Sequence, residues 1–477
     1  MIQITSGSMD MKSALMIGVM MSLGACSLVG LDYVRPQQPL PENFQQNDAA
    51  LSNVGAISDW WKLYQDPVLD DLITQASSNN TDIKIAVARI EEADAYLREV
   101  GAALLPEINL QSNLTRTKVT ELGAFPLFNG LPAYRTNNNI SLGTVFELDF
   151  WGKLRRAKES ARAQALGSRF AKDTVDLSLK GLVANNYLLL RSLESQIHFT
   201  KENLGIRDKS LALVKRRLEG GIASGLDVSQ AEVACANMKA QLSDLERQRD
   251  IVLQQLSVLT GSMRLKLDPS DLNAMPSVPV PPAGLPSELL EARPDIRLAE
   301  QNLIAANAKI GVAKAALYPS ISLTAVYGGE SQDLSDLFKS GARIWTGGVG
   351  LYLPVFNSGR LNAKVDQVSA QQKQALASYE RAVQQAFQEV NDALVNLRQY
   401  SESESALLES KQSSLKALDV ANHRYQSGYA SYLDVLDAQR VYNESALAHI
   451  RSKQARLNAS VNLFKALGGG WKQAVLN

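Results

Sequence analysis

Residues 80 to 110 read "NTDIKIAVARIEEADAYLREVGAALLPEINL", and residues 293 to 323 read "RPDIRLAEQNLIAANAKIGVAKAALYPSISL". Aligned without gaps, they put Asp82 over Asp295 and Pro106 over Pro319, a shift of 213 positions. In each copy, good helix formers with apolar residues three and four apart give way after the proline to a period of two. In the first copy, Ile108, Leu110 and Leu114 alternate with Glu107, Asn109, Gln111 and Asn113. The stretch therefore predicts a helix that stops at a proline and becomes a strand, written twice in one chain.

Two more pairs extend the duplication. "WGKLRRA" from Trp151 matches "SGRLNAK" from Ser358, and "GGIASGLDVSQA" (220–231) matches "GYASYLDVLDAQ" (428–439) with Gly221 over Gly428, both at a shift of 207. The two shifts differ by six residues, all absorbed between Pro106 and Gly152. A second strand follows in each unit. In "NISLGTVFELDF" (139–150), Ile140, Leu142, Phe146, Leu148 and Phe150 share a face, as do Trp345, Val349, Leu351 and Leu353 in "RIWTGGVGLYLPVF". Strands are expected at about 106–118, 137–150, 319–328 and 343–356. Helix resumes from Gly152 to Glu219 and from Gly359 to Ser427 without a proline, each reaching roughly 100 Å at 1.5 Å per residue. Return helices follow at about Asp227–Leu259 and Asp434–Leu467. A further helix is expected from about Asp70 to Ala103.

The N-terminus carries "MDMKSALMIGVMMSLGACS", a lysine followed by an apolar run and small residues, the layout of a secretory signal. "LGAC" looks like the lipobox of bacterial lipoproteins, by which Cys26 is expected to be the acylated first mature residue and Ser27 after it, by the rule of that family, points to the outer membrane; an ordinary signal cut nearby, with Cys26 incidental, is the alternative. The charge-poor "MIQITSGS" in front reads better as lying upstream of a start at Met9 or Met11. The organisation is thus 1–25 lipoprotein signal peptide, 26–69 lipidated extended segment, 70–260 first repeat unit, 261–293 proline-rich crossover and equatorial segment, and 294–477 second repeat unit.

Several functions are excluded. Basic and acidic residues number 49 each, so nothing calls for nucleic acid. Two cysteines, Cys26 and Cys235, and three histidines give poor material for a disulfide framework, a zinc site or a Cys/His pair. "EGGIASG" lacks the Gly-Lys-Ser/Thr of a phosphate loop. We expect no catalytic residue, no metal and no cofactor apart from lipid on Cys26. No later apolar run is long enough for a membrane helix, yet the strands are apolar on one face and polar or small on the other. Lipid admits only closed barrels, and the smallest membrane barrels need about eight strands. Four strands per chain must then be shared, and three chains supply twelve with a water-filled bore.

The lipobox, "LDYVRPQQPLPENF", "WWKLYQDPVLDDLI", the duplicated helix–hairpin–helix unit, "GLPSELLEARPDIRLAE" and "AKAALYPSISLTA" together resemble the outer-membrane factor family, the TolC- and OprM-like efflux-channel lipoproteins. The resemblance implies a mixed α and β membrane protein. It is a homotrimer in which a twelve-stranded outer-membrane β-barrel, four strands per chain, is continuous with a long-helix periplasmic α-barrel. It implies a passive exit duct, lipid-anchored in the outer membrane and served by a periplasmic adaptor protein and an inner-membrane efflux pump. Two rivals are a periplasmic coiled-coil scaffold lipoprotein and a type I protein secretion duct.

The phrase repeated at 220–231 and 428–439 joins each long helix to its return. Gly221 and Gly428 end the outgoing helices, and Ser224/Asp227 and Ser431/Asp434 stand in capping-box spacing. Asp437 lies on the same helix face as Asp434. By resemblance, Asp434 and Asp437 ring the periplasmic entrance, six carboxylates in a trimer; capping alone is the other account of Asp227 and Asp434. The resemblance also implies a closing clamp in which Tyr425 meets Asp227, although Ala430 fills the place of the clamp's arginine. Gly221, Leu226, Gly428 and Leu433 are the expected adaptor-docking tips, with helix termination as the plainer reading. Phe125, Phe128 and Tyr134 in the longer hairpin loop narrow the mouth or sit at the lipid interface.

Overall fold

The structure is a computed structural model that describes residues 28–37, 39, 41, 59–120, 132–267, 275–279 and 289–469. The signal segment, Cys26, Phe125 and Phe128 lie outside the described residues. The chain divides into two compact units. Unit 1 comprises Met1–Pro36, Ile90–Gly167 and Ala299–Tyr379, and unit 2 comprises Gln37–Arg89, Ser168–Leu298 and Glu380–Asn477.

The elements in chain order are α1 (Pro67–Asn79), α2 (Thr81–Ala102), β1 (Glu107–Lys118), β2 (Tyr134–Leu148), α3 (Lys153–Glu219) and α4 (Gly225–Leu259). There follow α5 (Leu289–Ala292), α6 (Pro294–Ala315), β3 (Ser320–Ser331), β4 (Arg343–Tyr352), α7 (Arg360–Gln426) and α8 (Tyr432–Ala466). The duplication is kept in the element lengths: α2 and α6 have 22 residues each, α3 and α7 67, α4 and α8 35. The second strand differs, with 15 residues in β2 and 10 in β4, as do α1 with 13 and α5 with 4.

Some boundaries depart from the sequence reading. The single helix expected from Asp70 to Ala103 is two helices, broken at Asn80. The Asn80 Oδ1 accepts from the Asp82 and Ile83 N–H groups at 2.8 and 3.3 Å, starting a new helix. Its Nδ2 donates to the Leu259 carbonyl at 2.9 Å, near the end of α4. Arg293, its counterpart in the second copy, donates from Nη1 to the Ala466 carbonyl at 2.9 Å, at the end of α8. Different side chains thus tie down the two return helices in the same way.

Strand β2 opens at Tyr134 and closes at Leu148, because Asp149 turns to accept the Leu154 and Arg155 N–H groups at 2.9 Å. Strand β4 stops at Tyr352, since Pro354 has no N–H for the ladder, and β3 runs on to Ser331. The crossover closes with the one-turn helix α5, in its proline-free "LLEA".

Unit 1 is built on an antiparallel sheet of order β1-β2-β3-β4. Its register aligns Leu110, Leu142, Tyr327 and Trp345 on one rung and Gln111, Ser141, Gly328 and Ile344 on the next. One face therefore carries Ile108, Leu110, Leu142, Phe146, Leu323 and Val349, and the other Glu107, Asn109, Gln111, Asn113, Asn139 and Thr324. Every residue of β1 is exposed, and Trp345 and Val349 on the apolar face are 78% and 73% exposed.

At the foot of this sheet, where the strands meet their helices, a strap of residues 29–35 is stitched down. The Val29 N–H donates to the Trp151 carbonyl at 3.1 Å. Buried Arg156 donates to the Gly30 carbonyl at 3.2 Å and to Asp32 and Glu159 at 2.7 Å. Arg35 grips both oxygens of Glu300 at 2.7 and 2.6 Å, with the Tyr33 hydroxyl donating to the same carboxylate at 3.1 Å.

Unit 2 is helical. Its core gathers Trp60, Tyr64, Leu69, Leu72, Ile73, Tyr187, Leu256 and Phe464, with Trp60 stacked on Phe464 at 5.4 Å. Asp66 caps α1, accepts the Tyr187 hydroxyl at 2.8 Å and pairs with Arg191. Among the described residues no helix is long and apolar enough to cross a membrane.

Candidate functional site

The site is the tip of unit 2, where α3 turns into α4 and α7 into α8. Both turns close alike. Gly221 and Gly428 take positive φ of 72° and 79°, and the Ile222 and Tyr429 N–H groups reach back to the Arg217 and Arg424 carbonyls, each at 2.8 Å. Each return helix then opens with a complete capping box. The Ser224 hydroxyl and N–H donate to Asp227 at 2.9 Å, and the Asp227 N–H donates back to the Ser224 hydroxyl at 3.2 Å. Ser431 and Asp434 repeat this with 2.8 and 2.9 Å donations and a 3.3 Å return. The Ser431 donors hold the Asp434 carboxyl below the usual carboxylate range.

The two hairpins are packed on each other through Val214, Ala231, Tyr432 and Val435. The Tyr425 and Tyr432 rings lie 5.4 Å apart, and the Arg217 guanidinium sits 4.8 Å over the Tyr425 ring. Tyr425 is thus drawn into the packing between α3, α7 and α8. Among the described residues it makes no hydrogen bond to Asp227, whose carboxylate is engaged by Ser224.

Asp437 is exposed, one turn after Asp434. Its carboxylate accepts from Arg440 at 2.7 Å, and Arg440 reaches Glu444 at 3.1 Å. Those two carboxylates hold the Arg440 guanidinium protonated. Arg440 was missed in the sequence, although its i,i+3 spacing from Asp437 announces the pair. On the exposed face of α8 the carboxylates Asp434, Asp437 and Glu444 thus stand with Arg440, while Arg217 and Arg424 lie on the outgoing helices at the same tip.

Leu226 and Leu433, 65% and 57% exposed, stand at equivalent places in the two turns, as do exposed Ile222 and Tyr429. Ile222 and Tyr429 were also passed over, although the 207-residue shift that pairs Leu226 with Leu433 pairs them too. Beside Leu226 and Leu433, α3, α4 and α8 border an open groove of about 680 Å³ lined by apolar Val233, Leu436 and Leu447 and by charged Arg207, Asp437, Arg440 and Glu444. Within it the buried oxygens Asn443 Oδ1 and Gln230 Oε1 have no hydrogen-bond partner among the described residues. Among the described residues no group of three His, Cys, Asp or Glu could hold a metal ion.

A duplicated helix–hairpin–helix unit, an uncovered two-faced sheet and paired, capped helical tips define an outer-membrane channel component. The chain belongs to the outer membrane efflux protein family, whose model matches residues 72–262 and 285–469. It is 34% identical over 470 residues to the solvent efflux pump outer membrane protein SrpC of Pseudomonas putida, covering 97% of this chain and 99% of that one. It is 33% identical over 473 residues to the pyoverdine export outer membrane protein OpmQ of Pseudomonas aeruginosa, covering 97% and 98%. The fold matches the open state of the Neisseria gonorrhoeae MtrE outer membrane channel with a TM-score of 0.83 at 31% identity, over 93% of this chain and 98% of that one.

Proposed function

We propose that this protein is the outer-membrane exit duct of a tripartite efflux system and works as a homotrimer. Three copies pool four strands each into a twelve-stranded β-barrel, and their long helices form an α-barrel in the periplasm. The observation that carries this reading is the sheet of unit 1: apolar on one face, polar on the other, covered on neither, and open at β1 and β4. A soluble scaffold has no use for such a sheet, and lipid accepts it only closed.

The duct is passive. Its relatives are named for solvent efflux and for pyoverdine export, so cargo is chosen by the inner-membrane pump. The apolar tips Leu226 and Leu433, with the groove beside them, receive the adaptor protein, and the orphan oxygens of Asn443 and Gln230 offer acceptors to its donors. Asp434 and Asp437 of three copies ring the entrance. Their field attracts cations and repels anions, tempered by Arg440. Lipid on Cys26 suits the strap, because Leu28 packs against Gly152 at the foot of the sheet, where acyl chains would enter the inner leaflet.

Single-channel recording in planar bilayers tests the duct. Cation-selective openings blocked by trivalent cations from the periplasmic side, with block lost in Asp434→Ala/Asp437→Ala, are expected. Inserted trimers whose block survives the double substitution would remove the aspartate ring. Protein that never inserts would return the scaffold reading.

A further inference from the structure

Along β1 the apolar face ends abruptly. Ile108, Leu110 and Leu114 are followed on the same face by Arg116 and Lys118 at the hairpin end. Strand β4 does the same, with Arg343 two residues beyond Trp345. All three cations are exposed. Arg116 and Lys118 both lie over the Tyr134 ring, at 5.6 and 5.8 Å from its centroid, which fixes them together above the apolar band.

The three cations on this face differ from their neighbours in how they are satisfied: even at the hairpin end, Lys339 in the β3–β4 turn is held by Asp336 at 2.6 Å. At the foot, Lys153 is held by Glu147 at 3.0 Å, Arg155 by Asp149 at 3.1 Å and Arg156 by Asp32 and Glu159 at 2.7 Å. At the hairpin end, no carboxylate among the described residues pairs with Arg116, Lys118 or Arg343. A cation at the margin of a lipid face is stable only where it reaches water or an anion. Guanidinium groups fit phosphate in a two-pronged geometry, and an apolar surface directly below suits the acyl chains that such a phosphate carries.

We infer that Arg116, Lys118 and Arg343 form a belt on the outward face of the barrel that binds the phosphorylated glycolipid headgroups of the outer leaflet. The inference rests on the reading that this face meets lipid. Closure through β4 and β1 of successive copies sets the three cations of every copy on one outward band, so the trimer carries a ring of headgroup contacts. Tyr134 acts with it, its ring holding two of the cations at headgroup level.

The test uses purified trimer reconstituted in phosphatidylcholine vesicles that contain phosphorylated lipid A, the same glycolipid stripped of its phosphates, or phosphatidylglycerol. Native mass spectrometry counts the lipid retained per trimer, and conductance reports insertion. Phosphorylated lipid A is expected to be retained preferentially, with retention falling about fivefold for each charge removed in Arg116→Gln/Lys118→Gln and in Arg343→Gln. Arg135→Gln, whose residue pairs with Thr117 on the opposite face, is expected to retain wild-type lipid. Excess inorganic phosphate should leave the lipid bound. Equal retention of the stripped glycolipid, undiminished retention by the double variant, or displacement by inorganic phosphate would each overturn the belt while the protein still conducts. Wild-type protein that neither inserts nor conducts in any vesicle would instead overturn the lipid-facing reading itself.

Discussion

Among the described residues nothing lies within 4 Å of where a Cβ of Gly221 or Gly428 would stand, so positive φ is what makes a side chain unwelcome there. Gly428→Ala should therefore cost about 1–2 kcal/mol, seen as a lower melting temperature. Gly225→Ala, in equally open space at the first position of α4, should be neutral or stabilising; equal losses from both would show that space, not φ, governs the turn. Asp434 makes a prediction about pH. Its carboxyl is depressed by the Ser431 donors, so the capping contribution is fully present above the unfolded pKa and is lost as pH falls through the lower folded value. The protection of the first-turn amides of α8 against hydrogen exchange, taken relative to the intrinsic rate at each pH, should hold from pH 7 to 5 and fall only below about pH 4. A fall already near pH 6 would contradict it. The capping boxes and turn glycines were legible because their partners lie three to six residues away in the chain. The Arg217–Tyr425 contact was not, because it joins α3 to α7 and no local spacing encodes it.

Strand alternation was the plainest message in the chain, since a period of two survives in any tertiary setting. The register of β1, β2, β3 and β4 lines up the faces that alternation assigned. What escaped were the ends. Asn80 breaks the helix inside the polar run "SSNNTD" (77–82), a local capping signal masked by the apolar periodicity on either side, and its side chain also holds the distant Leu259 carbonyl. Strand β2 starts early because its partner β1 continues to Lys118 and needs Tyr134 opposite it. The face assignment yields a paired experiment. Leu110→Arg, on the apolar face, should cost about 2–4 kcal/mol in refolding into vesicles if it sits near the bilayer midplane, whereas Gln111→Arg, one residue on, should be tolerated in the bore. Indistinguishable refolding of the two would mean that neither face meets lipid.

One chain offers the bilayer a sheet with two raw edges, β1 of 12 residues and β4 of 10. Every unpaired N–H and C=O along them would cost several kcal/mol in hydrocarbon, far more than a domain's whole stability. In the proposed trimer, pairing between copies removes that cost: β4 lies antiparallel to β1 through the order of the sheet, so successive copies would extend the same antiparallel ladder. On that proposal closure belongs to the assembly and is read only as arithmetic on the strand count, while no residue of this chain spells out a cargo. Assembly and insertion should consequently be coupled. The detergent-extracted protein should have a mass three times that of its chain, 52.0 kDa before any signal removal, by light scattering corrected for bound detergent. Insertion into vesicles should accelerate more than proportionally as protein concentration rises, because no single chain or pair yields a closed barrel with a bore. Insertion strictly proportional to concentration, with conductance appearing from monomers, would mean that the edges are protected within one chain and that the shared barrel is not how this sheet survives in lipid.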